Sequence, residues 1–74
     1  MVFVSHAIAV ILLISLAVAV TTRCDGCIAA HAAAAKKAGA SKEEIAAALG
    51  TAISMNAGAA YVYSSLALEA YEEL

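Results

Sequence analysis

The ten charged side chains of this 74-residue chain all lie at or beyond Arg23, so the first 22 positions carry none. As a helix, Met1 to Val20 would be about 30 Å long, enough to cross a hydrocarbon core. Ser5, His6 and Ser15 interrupt that run. The stretch from Ala7 to Val20 has the length of a buried core helix or of a signal-peptide apolar region rather than of a membrane span. A secretory leader would need a basic segment in front, and Met1 to His6 supplies none, although Ala17-Val18-Ala19 resembles a cleavage site. The expected location is therefore cytoplasmic. A transmembrane helix would carry basic or aromatic anchors at its ends, and only Arg23 and Phe3 could serve. The favoured expectation is a first helix over about residues 5–20, apolar all round and covered by protein, which in a chain this short means other subunits. A membrane-embedded helix remains the alternative.

Composition sharpens this expectation. Hydrophobic residues make up 65% of the chain and charged residues 14%, against a usual charged share of roughly 25%, which excludes disorder. Twenty-one alanines with no proline, no tryptophan and one phenylalanine favour helix and offer little bulk for a deep core. A small domain buries only about 60% of the surface of its unfolded chain, so association should supply further burial. A net charge of -2 gives no electrostatic reason to bind nucleic acid.

Helix signals then divide the chain. Ser5 can cap the first helix, and Val20-Thr21-Thr22 weakens helix propensity at its end. Thr21 or Thr22 can cap a second helix over Cys24–Ala38, which Gly39 should stop, with Lys36 and Lys37 complementing the helix dipole. Ser41-Lys42-Glu43-Glu44 is a capping box, and behind it Ile45, Ala48, Leu49, Ala52 and Ile53 recur at helical spacing, with Gly50 positioned to permit close helix contact. Asn56-Ala57-Gly58 reads as a break before a last helix from about Ala59 to Glu73. The expectation is one all-α domain, residues 1–74, of about four helices.

Cys24-Asp25-Gly26-Cys27-Ile28-Ala29-Ala30-His31 is the segment with obvious chemistry. On a helix Cys24, Cys27 and His31 fall on one stripe, three and four residues apart. The two cysteines can join as a disulfide, with Gly26 easing the adjustment. A thiol near a helix N-terminus has a lowered pKa, and a histidine one turn on can accept its proton, the arrangement that activates a cysteine toward disulfides or peroxides. Two other readings stay open: a zinc site from Cys24, Cys27, His31 and His6, and a pair of inert cysteines beside a satisfied histidine. Covalent haem attachment fails because Ile28 follows the second cysteine.

With Cys-x-x-Cys-x-x-x-His on a helix, the chain resembles the alkylhydroperoxidase D and carboxymuconolactone decarboxylase-like family, in its cysteine-bearing branch. The similarity runs from about Leu13 to the end, through Ile14 to Val20, Arg23 to Ile28, the Gly39 to Ile45 turn and Asn56 to Glu73. The resemblance implies an all-helical fold assembling as trimers, or as hexamers built from them. It implies catalytic roles for Cys27 as the sulfur that attacks peroxide, Cys24 as the resolving thiol and His31 as part of a proton relay. That relay also uses a glutamate twelve residues before the first cysteine, where this chain has Leu12. Some members also carry a histidine between the cysteines, where Gly26 stands here.

These readings converge on a thiol–disulfide oxidoreductase or peroxidase-type scaffold, weakened by Leu12. It needs no cofactor and no metal, works as a homo-oligomer, and takes electrons from a thiol reductant. The competing reading is an assembly protein, engineered or membrane-embedded, with a vestigial site and a first helix whose large aliphatics drive packing.

Overall fold

The computed structural model describes residues 2–74, and these form three helices: α1 (Val2–Thr21), α2 (Asp25–Lys37) and α3 (Lys42–Glu72). Both connections are Schellman turns. At the first, the Cys24 amide donates to the Ala19 carbonyl and the Arg23 amide to Val20, with Arg23 in the left-handed region at φ 56°. At the second, Ala40 donates to Ala35 and Gly39 to Lys36, with Gly39 at φ 96°. Glycine adopts that backbone without steric cost, and arginine does not.

The second turn matches its sequence signals closely. Gly39 follows the α2 cap residue Ala38, and the Ser41 hydroxyl accepts from the Glu44 amide at 3.0 Å while the Ser41 amide donates to the Glu44 carboxylate at 2.8 Å. The Ser41 amide is also the main reason the Glu44 carboxyl sits below its ordinary pKa, with the Ser41 hydroxyl second and His6 a minor contributor.

The expected break at Asn56-Ala57-Gly58 does not occur, so there are three helices among the described residues rather than four. Asn56 is held in helix because its Nδ2 donates back to the Ala52 carbonyl at 2.6 Å and across to the Thr21 hydroxyl at 3.0 Å. Gly58 lies within α3 at negative φ with nothing near the position a Cβ would take. Gly50 is equally open, so it does not serve a close helix contact within this chain. Two smaller boundaries also differ. α1 begins before Ser5, and α2 is capped by Cys24 rather than by Thr21 or Thr22, whose hydroxyls instead bond back to carbonyls of α1.

α1 is the central element. α2 folds back antiparallel to it, α3 runs parallel to it, and α2 and α3 do not pack on each other. The parallel register is fixed by grooves that set Val10 to Val18 against Ala48 and Thr51, and by the Asn56–Thr21 bond at the far end. The core where the three meet is small: Leu16, Ala19, Ala35 and Ala52. Alanines there let helix axes approach closely but bury little area each. Ile8, Ile11, Ile14 and Val18 of α1 are exposed within a single chain, Ile14 and Val18 at the edge of the groove against α3, and the expected anchor Phe3 lies outside the described side chains.

α3 is 31 residues, about 46 Å. Only its first half lies along α1, and the rest projects beyond the α1–α2 turn, giving the molecule its long axis of 60 Å. By length and composition α3 is a helix that could cross a membrane.

Candidate functional site

The cysteine pair sits at the α1–α2 turn. Arg23 closes α1 and Cys24 opens α2 as its N-cap, with extended backbone at φ -95° and ψ 95°. Its sulfur takes the place that a serine or aspartate oxygen usually fills, accepting from the Cys27 amide at 3.3 Å. The cap position therefore brings the two sulfurs together. Cys24 and Cys27 form a disulfide, with Cα atoms 5.2 Å apart, inside the usual span for such a bond. Both residues are half-buried.

His31 lies four residues beyond Cys27 on the same stripe of α2 and is also half-buried, whereas Cys24 stands just before the helix as its N-cap. Leu12 is half-buried on α1, the helix against which α2 folds back. It puts an alkyl group where the resemblance calls for a carboxylate. No Asp, Glu, Lys or Arg occurs anywhere else on α1 or between Ile45 and Leu68 on α3. The charged groups of the site are thus Arg23 and Asp25, with His31 the one further titratable group on this part of α2. The positive end of the α2 dipole lies at the Cys24 cap position.

The four-ligand zinc reading is corrected. His6 is about 22 Å along α1 from Thr21, at the opposite end of the hairpin from the cysteines, and no group of three or more His, Cys, Asp or Glu converges among the described residues. The grooves along the α1–α3 seam are lined by residues such as Val18, Thr51 and Asn56, and the cysteine pair lines none of these three.

Two features escaped the sequence. Cys24 as N-cap has a local signal, because an acceptor three residues before an amide in the first turn is what a cap requires. The left-handed Arg23 has none, since glycine or asparagine is the usual mark of that position.

A model of the carboxymuconolactone decarboxylase family matches residues 9–70. Uncharacterized protein 4 in the cox locus of Paracoccus denitrificans is 42% identical over 62 residues, covering 84% of this chain and 56% of that protein. An uncharacterized protein of Haemophilus influenzae is 73% identical over 59 residues, covering 80% of this chain and 52% of that protein. The chain spans about half the length of these curated relatives. With a family match that takes in both turns, the cysteine pair and most of α3, the chain belongs to the carboxymuconolactone decarboxylase family.

Proposed function

We propose that this chain is a thiol–disulfide oxidoreductase of the peroxide-reducing type, acting as a homo-oligomer in the cytoplasm. The observation that carries the reading is the Cys24–Cys27 pair at the start of α2 with His31 one turn on. In the dithiol form, His31 takes the Cys27 proton and the Cys27 thiolate attacks the distal peroxide oxygen. The O–O bond breaks, the alkoxide leaves and is protonated as an alcohol, and Cys27 becomes a sulfenic acid. Cys24 then attacks the Cys27 sulfur, forming the S–S bond and expelling water. Two thiols and one hydroperoxide thus give one disulfide, one alcohol and one water. A dithiol reductant returns the pair to its starting state by two exchange steps.

Leu12 sets the expected rate. With no carboxylate at that position, His31 has no acceptor on α1 to pass its proton to, and general acid–base assistance is worth about 10² to 10⁴-fold. The test compares peroxide-dependent oxidation of Cys27 in the parent and in Leu12→Glu, with assembly checked on the same samples. Faster oxidation in Leu12→Glu supports the relay reading. Equal rates in equally assembled proteins would show that position 12 is irrelevant. Absence of peroxide-dependent oxidation in both would favour the second reading, an assembly protein with a vestigial site, for which the departure at Leu12 is the supporting observation.

A further inference from the structure

Two sulfurs share the bond at the start of α2, and their surroundings differ. Both cysteines are half-buried, so exposure does not tell them apart. Hydrogen bonding does. The α2 ladder opens with the Ile28 amide donating to the Cys24 carbonyl at 2.9 Å. The amides before it in the first turn have no carbonyl to reach within the helix. One of them, that of Cys27, donates to the Cys24 sulfur at 3.3 Å. Among the described residues no donor reaches the Cys27 sulfur in return.

A neutral sulfur is a weak acceptor, and a thiolate in the same place is a strong one, because a hydrogen bond to an ionised group is roughly twice as strong as a neutral one. Cleavage of the S–S bond therefore strengthens the α2 cap when the charge is left on Cys24. The positive end of the helix dipole acts in the same direction. Fixed charges do not reverse this. Arg23 and Asp25 flank Cys24 with opposite signs, α1 carries no Asp, Glu, Lys or Arg, and α3 carries none between Ile45 and Leu68. His31 stands one turn from Cys27 and two from Cys24, so it serves the Cys27 sulfur.

We infer that the two sulfurs keep separate duties in thiol exchange: Cys24 is the thiolate that leaves and returns, and Cys27 is the sulfur on which the dithiol reductant forms its mixed disulfide. The assignment rests on the thiol–disulfide reading and deepens it. A thiolate of the reductant attacks the Cys27 sulfur, the S–S bond breaks, and its electron pair departs on Cys24, the better-stabilised and therefore faster leaving group. The reductant's second thiolate attacks the reductant sulfur of the mixed disulfide. The reductant closes to a disulfide, and Cys27 is released and protonated through His31. Two electrons pass to the cysteine pair; of the reductant's two thiol protons, one ends on Cys27 and the other in solvent. The Cys24 thiolate left by this step is the group that later attacks the Cys27 sulfenic acid.

The probe is glutathione, a monothiol that cannot complete the second step within one molecule. Oxidised protein is mixed with excess glutathione without peroxide and quenched in acid before exchange is complete, and the adduct is located by fragmentation in the mass spectrometer. Cys27 should carry it in about tenfold excess over Cys24. The cap is tested separately with Cys27→Ala and Cys27→Pro. Both leave Cys24 as the one thiol and differ in the amide hydrogen at position 27, and proline is tolerated in a first helical turn, where it breaks no bond of the ladder. With helix content equal, Cys24 should react with iodoacetamide at neutral pH about tenfold more slowly in Cys27→Pro. Neither measurement uses peroxide, so a protein that ignores peroxide yet carries glutathione on Cys27 would refute the peroxidase reading and leave this assignment standing. An adduct absent from Cys27, or no more abundant there than on Cys24, would overturn the proposal, as would equal Cys24 reactivity in the two folded variants.

Discussion

The Asn56 side-chain amide reaches the Thr21 hydroxyl at 3.0 Å across 35 residues of chain, and this bond ties the middle of α3 to the last turn of α1. It is the side-chain bond joining two helices among the described residues, and it sits where α3 leaves the body of the molecule.

Asn56→Ala and Thr21→Val should each lower stability, and a double-mutant cycle should return a coupling of about 0.5–1 kcal/mol, the low end for a hydrogen bond because the pair is exposed. Urea denaturation of the four proteins measures it. Additive losses would show that the bond contributes nothing of its own.

Arg23→Gly should stabilise the fold of the single chain by about 1 kcal/mol, because glycine occupies φ 56° without the clash that arginine's Cβ incurs. The midpoint of chemical denaturation checks this.

Ser41→Ala removes the hydroxyl that caps α3 and should cost about 1 kcal/mol. Glu44, on the other side of the box, adds a pH signature. Its folded pKa is depressed, so its contribution is complete above the ordinary glutamate value and disappears as pH falls through the lowered folded value. Thermal melts of the parent and Glu44→Gln should therefore converge on acidification from neutral pH, and a constant gap down to strongly acidic pH would contradict the box as the cause.

Cys24→Ser should leave a sulfenic acid on Cys27 after peroxide treatment, trapped by a carbon nucleophile and seen by mass spectrometry, whereas Cys27→Ser should give none. A trapped adduct on Cys24 in the Cys27→Ser protein would reverse the two roles.

What the sequence made legible was local. Ser41 and Glu44 announce a helix start because both partners of the box lie within four residues, and Gly39 announces a stop because its backbone needs no neighbour's consent. The Cys24–Cys27–His31 stripe follows from spacing in the same way. Asn56 misled because its effect on the backbone depends on Thr21, which is distant in sequence: unpartnered, the side chain favours a turn, and bonded to Thr21 and Ala52 it continues the helix. Arg23 was illegible for the converse reason. Its turn is closed by amides of residues on either side, and the residue's identity works against the geometry it adopts.

Because α2 and α3 each pack on α1 and not on each other, the molecule has two seams that can open separately. Release of α3 would leave the α1–α2 hairpin and its cysteine turn in register, whereas release of α2 would dismantle the turn itself. Amide exchange should accordingly divide the chain into unequal cooperative units. The outer half of α3 should exchange fastest and the amides around Ala19 and Ala35 last, so that the turn joining Cys24 to Cys27 outlasts fluctuations that have already detached the longest helix.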